Sequence, residues 1–183
     1  MRIVVGITGA SGAIYAQEFL RQCEAEKYLI VSKWGKEILR EELGITEDNL
    51  TQYVKKIFSD DDLSAPLASG TNKFDAFIIL PCSVSTLGKI ASGVGDTLIT
   101  RTAQVALKER WKLVLCLRET PLSTLSLEQA ARLSQYGATI MPLSPSFYHH
   151  PASLEECING FIDKLLGVVG VRECKGWGIG NLE

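Results

Sequence analysis

The stretch R-I-V-V-G-I-T-G-A-S-G-A-I-Y, residues 2–15, reads as a buried strand, a glycine turn and the first turn of a helix. Ile3, Val4, Val5 and Ile7 are apolar on both faces, the pattern of a central parallel strand covered by helices on each side. Gly9 and Gly12 permit a tight turn and a close backbone approach, and Ser11 is placed as the helix N-cap. Such a turn aims free N–H groups and the positive end of a helix dipole at one point, which suits an anion, typically phosphate. The expected ligand is a nucleotide or another phosphorylated molecule.

Outward from this stretch, strands alternate with helices. Further strands are expected over 28–32, 74–80, 112–117 and 138–141, and helices over 11–26, 34–42, 46–57, 97–110, 127–135 and 153–166. Alternation of this kind predicts a parallel sheet with right-handed crossovers. The segment 59–73 reads as a polar connection, and its acidic run Asp60-Asp61-Asp62 as a solvated loop, because consecutive side chains point in different directions. The domain expected is a single one over 1–169, followed by a glycine-rich tail, 170–183, whose Trp177 can dock over a site.

Composition narrows the class. The 183 residues are 46% hydrophobic and 22% charged, ordinary for one globular domain with a proper core. A mean hydropathy of +0.12 leaves apolar surface to bury between subunits, so an oligomer is expected. A net charge of -2 gives no basic footprint for nucleic acid. Five scattered cysteines without a C-x-x-C argue against a disulfide framework or zinc site and for a reducing cytoplasm. No run is long enough to insert in a membrane, and the N-terminus enters a strand without a leader pattern. The two histidines, His149 and His150, are adjacent, which is poor spacing for a shared metal.

The strand ends carry the chemistry. The second strand ends in Ser32, where a dinucleotide fold that binds a free ribose wants an acidic side chain, so an NAD enzyme is disfavoured. Ser32 is either a ligand donor or the cap of the next helix. The turn P-C-S-V-S-T-L-G, 81–88, places Ser83, Ser85 and Thr86 on the same crevice as donors without charge, and Cys82 as a small buried residue. Arg101 and Lys108, seven apart, share one helix face, either solvated or turned to an anion across a subunit contact. Arg118 and Glu119 end the 112–117 strand, where buried charges are costly unless used or paired. The loop P-L-S-P-S-F-Y-H-H-P, with Tyr148, His149 and His150 as polar tips, is placed to cap the crevice. No G-x-x-x-x-G-K-[ST] is present, and G-A-S-G-A departs from the hydrolase elbow G-x-S-x-G.

Together, G-A-S-G-A-I-Y (9–15), P-C-S (81–83), A-L-K-E-R (106–110), L-R-E-T-P-L-S (117–123) and F-Y-H-H-P (147–151) resemble the flavin prenyltransferase family, the UbiX-like proteins. The resemblance implies a Rossmann-like, flavodoxin-type three-layer α/β sandwich with a parallel sheet, assembled as a homododecamer with sites between subunits. It implies that a dimethylallyl group passes from dimethylallyl phosphate to N5 and C6 of reduced FMN, without a metal. The product, prenylated FMN, then serves a UbiD-like decarboxylase. By the same resemblance, Gly9, Ala10, Ser11, Ser32, Ser83, Val84, Ser85, Thr86 and Arg118 bind FMN. Arg101, Lys108, Tyr148 and Lys164 bind the substrate phosphate; some members carry Arg at the position of Lys164, whose bidentate fork is lost here. Glu119 moves protons with Ser11 as relay, Glu42 is a further acidic site residue, and Trp177, with Trp34 or Tyr148, steadies an allylic cation. Two other classes share the fold: a flavin-dependent cysteine decarboxylase and a non-catalytic FMN-binding subunit. The first is expected to show a P-A-S-A-N-T-like turn and an early catalytic His, where this chain has P-C-S-V-S-T and no His before His149.

Overall fold

The computed structural model describes residues 1–173. Six parallel strands, β1 (Arg2–Ile7), β2 (Glu26–Val31), β3 (Lys56–Ser59), β4 (Ala76–Cys82), β5 (Lys112–Leu117) and β6 (Thr139–Ile140), form one sheet in the order β3-β2-β1-β4-β5-β6. Helices cover both faces: α1 (Ala13–Gln22), α2 (Lys33–Leu43) and α6 (Leu154–Val169) on one, α3 (Val84–Ala91), α4 (Leu98–Glu109) and α5 (Thr124–Gln135) on the other. The parallel sheet is the one the alternation of elements predicts, and the three-layer sandwich is the one the resemblance implies.

The two-residue period of β1 builds both cores. Ile3, Val5 and Ile7 pack with Phe19 and Leu20 of α1 and with Phe161, Ile162 and Leu165 of α6. Val4 points the other way, into a core with Phe77, Ile79, Ala103 and Leu113. β1 is buried along its length beyond Arg2, which is why its sequence carries no alternation of polar residues. Gly6 is where a side chain is missing: a Cβ there would lie 3.3 Å from the Phe77 ring.

Register brings the strand ends level. Ile7 pairs with Val31 and Gly6 with Ile79, so Thr8, Ser32 and Ser83 leave the sheet on one edge. The order turns from leftward to rightward winding between β1 and β4, and ligands of such sheets bind in the crevice at that switch.

Two expectations fail locally. Residues 46–57 are not one helix: Glu47–Tyr53 is a 3-10 turn, closed by a reciprocal Thr46–Asn49 cap, and Lys56–Ser59 is the edge strand β3. Ser11 does not cap α1, which begins later, at Ala13, behind Gly12 at φ 113°. A left-handed backbone there favours glycine. Among the described residues, no helix is long and apolar enough to cross a membrane.

Candidate functional site

At the β1/β4 switch a cavity of about 280 Å³ is lined by Thr8, Gly9, Ser32, Lys33, Trp34, Asp60, Asp61, Ser83, Ser85, Thr86, Lys89, Thr97, Ile99 and Thr100. Three helices begin around it, and each is capped by a hydroxyl. Ser32 accepts from the Gly35 N–H at 3.0 Å, Ser83 from the Thr86 N–H at 3.2 Å, and Thr97 from the Thr100 N–H at 3.4 Å. A capping hydroxyl uses a lone pair for the helix and keeps its proton to donate elsewhere. Of the two readings of Ser32, the structure shows the cap of α2, and the same residue lines the cavity.

Thr8 fixes this wall. It is 2% exposed; its Oγ1 donates to the Pro81 carbonyl at 2.8 Å and accepts from the Ser83 N–H at 2.9 Å. The end of β1 is thereby joined to the turn that starts α3, by two bonds worth about 1 kcal/mol each net. Sequence reasoning passed Thr8 over, because a threonine after a strand carries no signal without knowing what lies across from it. Gly9 is required by the opposite wall: a Cβ would fall 2.4 Å from Cβ of Trp34.

The N-terminus of α1 is engaged differently from the expectation. The carboxylate of Glu42, from the last turn of α2, accepts from the Gly12 N–H at 2.9 Å and the Ala13 N–H at 2.8 Å. A protein carboxylate thus holds the place where an anion was expected, and the anion-binding character passes to α2 and α3.

The acidic run also divides. Asp61 and Asp62 are exposed, but Asp60 is buried against α4, its Oδ1 accepting from the Ile99 N–H at 2.8 Å. Burial pushes its carboxyl above the ordinary range, against the Ile99 N–H and a Thr97 hydroxyl that favour the charged form. Lys89, also on the wall, pairs with Asp96 at 2.7 Å and holds that carboxyl below the usual range. Cys82 is fully buried, and burial pushes its thiol up to about 12, which fits a packing role.

The remaining expected residues lie outside this cavity. Ala10 is buried, Ser11 is exposed, and Val84 opens α3 behind Ser83. Arg118 and Glu119 stand exposed beyond the last buried residue of β5, so the cost of burying charge does not apply to them. They form no ion pair among the described residues, and Glu119 accepts from the Thr120 N–H at 2.9 Å. Arg101 and Lys108 are exposed on α4, Arg101 bonded to the Ala68 carbonyl at 3.2 Å and Lys108 paired with Glu109 at 2.8 Å. Lys108 sits about 15 Å along α4 from the helix start that faces the cavity. Tyr148 is exposed in the loop after β6 and Lys164 is exposed on α6. One chain does not bring these cations to the hydroxyl-lined cavity. Trp177 lies outside the described residues. Among the described residues, no His, Cys, Asp and Glu side chains gather in the number a metal site needs.

A family model described as Flavoprotein matches residues 1–165. A flavin prenyltransferase UbiX of Thermoplasma acidophilum is 43% identical over 176 residues, covering 93% of this chain and 96% of that protein. A UbiX crystal structure in complex with FMN and dimethylallyl pyrophosphate superposes with a TM-score of 0.89 at 37% identity, covering 96% of this chain and 98% of the other. A dodecameric FMN-dependent UbiX-like decarboxylase from Escherichia coli gives 0.89 at 34% identity, covering 93% and 95%.

Proposed function

As this chain belongs to the UbiX-like flavin prenyltransferase family, we propose that it transfers a dimethylallyl group from dimethylallyl phosphate to N5 and C6 of reduced FMN. The observation that carries this reading is the cavity at the β1/β4 switch, with three hydroxyl-capped helix starts around it. That donor set fits the phosphate end of FMN: neutral O–H groups and helix dipoles hold an anion at close range. Ser32, Ser83, Ser85 and Thr86 bind the phosphate, and the Gly9–Ser11 turn with Val84 and Arg118 positions the rest of the flavin. Reduced FMN supplies the nucleophilic ring atoms.

This chain's own residues manage charge and protons. Arg101, Lys108, Tyr148 and Lys164 hold the substrate phosphate and stabilise it as it leaves, so cations take the place a metal would fill. Arg101 and Lys108 lie on an exposed face, so they reach a site formed with another copy. A homododecamer with sites between subunits is the assembly proposed, in line with the dodecameric relative. Glu119, free of ion pairs among the described residues, takes and returns protons, with Ser11 as relay. Glu42 keeps the glycine turn in shape. By the same resemblance, Trp177, which lies outside the described residues, is the aromatic assigned to steady the allylic charge. Prenylated FMN is released to a UbiD-like decarboxylase. The cytoplasm is the compartment proposed, supported by free thiols at Cys23, Cys82, Cys116 and Cys157.

Anaerobic incubation with reduced FMN and dimethylallyl phosphate tests the reading. The expected product is FMN heavier by one prenyl group in the mass spectrum; recovery of unmodified FMN beside an active control would overturn it.

A further inference from the structure

The cavity that suits a phosphate carries a carboxylate in its wall. Asp60 follows β3 and is 9% exposed. Its Oδ1 accepts from the Ile99 N–H at 2.8 Å and its carbonyl from the Leu98 N–H at 2.7 Å, so it is fastened to the first turn of α4. Ser83, Ser85 and Thr86 line the same cavity from α3. The other charged groups around it are Asp61 beside it, Lys33 at the start of α2, and Lys89 on α3, already paired with Asp96 at 2.7 Å. Thr97 and Thr100 complete the wall without charge. A phosphate monoester loses its second proton near pH 6, so above neutrality it meets Asp60 as a dianion. Two like charges in one partly desolvated cavity oppose each other, and the opposition is relieved when one of them takes a proton.

We propose that Asp60 makes binding of the flavin phosphate proton-coupled: the complex takes up one proton from solvent, shared between the Asp60 carboxyl and the phosphate. The inference rests on the FMN reading of the cavity. The balance is chain plus phosphate dianion plus one proton giving the complex, with no bond of the ligand broken. The protonated carboxyl keeps one oxygen on the Ile99 N–H and turns its O–H to the phosphate, so a repelling group becomes a donor. Burial already favours the neutral carboxyl and Asp61 acts in the same direction, against the Ile99 N–H, the Thr97 hydroxyl and Lys89. The sign follows: affinity for FMN is greatest below neutrality and falls as pH rises, because the proton must be drawn from an ever scarcer supply.

Titration calorimetry of the intact chain with FMN, in two buffers of different ionisation enthalpy, reads the proton directly. The expected uptake at about pH 7.5 is near one proton, with affinity falling about tenfold per pH unit above neutrality. Riboflavin, which lacks the phosphate, is expected to give none. In Asp60→Asn, which keeps an oxygen for the Ile99 N–H, the uptake is expected to vanish and binding at about pH 8 to tighten by tenfold or more. Asp60→Gln serves if the Asn variant does not fold, and the wild-type uptake decides the matter in either case. Binding of FMN without proton uptake, or uptake unchanged in the variant, overturns the proposal alone. No binding of FMN at any pH overturns the FMN reading and this proposal with it.

Discussion

Glu42 holds Gly12. Its carboxylate accepts the Gly12 and Ala13 N–H groups at 2.9 and 2.8 Å, so the first turn of α1 is closed by a side chain from the end of α2. The motif that decided the fold is therefore not itself the open anion site. It is shaped by an internal anion, as the start of α4 is by Asp60, and the open helix starts are those of α2 and α3.

Removing that carboxylate loosens the turn. Glu42→Ala leaves two N–H groups of the first turn without their acceptor, at a cost of about 1 kcal/mol. For a domain of this length the melting temperature is expected to fall by about 2–4 °C. A thermal melt checks this, and an unchanged midpoint would show that water replaces the carboxylate without loss.

Capping and ligand binding can be separated at Ser83. Asp caps a helix about as well as Ser, so Ser83→Asp is expected to keep the melting temperature within the shift of about 0.5 kcal/mol. It also puts a negative charge where the phosphate is proposed to lie, and FMN affinity is expected to drop by at least about tenfold. A variant that melts normally and binds FMN normally would move the phosphate elsewhere.

Glu119 is open to a similar separation. Its one protein bond among the described residues, from the Thr120 N–H at 2.9 Å, can be kept by the amide oxygen of Gln. Glu119→Gln is expected to bind FMN and to lose about 10²–10⁴-fold in turnover, the range for a lost general acid–base group. Single-turnover product formation measures it, and undiminished turnover removes Glu119 from the proton path.

The central strands were legible because they are buried on both faces and read as unbroken apolar runs. β3 was not: Lys56-Ile57-Phe58-Ser59 is a four-residue strand paired, among the described residues, with β2 alone, half of it polar, and Glu47 and Asp48 ahead of it mimic a helix start. The hydroxyls at 32, 83, 85 and 86 were legible because strand ends in a parallel sheet share one edge. Asp60 was hidden because its burial depends on Ile99, 39 residues on. Glu42 was readable as a site residue by resemblance, but its bond to Gly12 spans 30 residues and follows no local pattern. The cations of α4 and α6 were legible by type, while the site between subunits at which they are proposed to meet follows no pattern within one sequence.

The buried thiols weaken the fold at alkaline pH. Burial raises Cys82 to about 12 and Cys116 well above its ordinary 9.0. In the unfolded chain both ionise near 9, in the folded chain neither does, so the unfolded state binds fewer protons above that pH. The contribution of Cys82 is whole below about pH 9 and is lost as pH rises towards 12, at about 1.4 kcal/mol per unit, and Cys116 acts in the same direction. Denaturant midpoints measured from about pH 8 to 11 are expected to fall along this slope, and Cys82→Ala to make the fall shallower. A slope equal to wild type in the variant would contradict the assignment.

A crystal structure of the chain with FMN reads directly where the flavin phosphate rests. The result predicted is a phosphate within hydrogen-bond distance of Ser32, Ser83 and Thr86, with Glu42 still on Gly12 and Ala13. A phosphate seated on the Gly12 and Ala13 N–H groups, with Glu42 displaced, would contradict it.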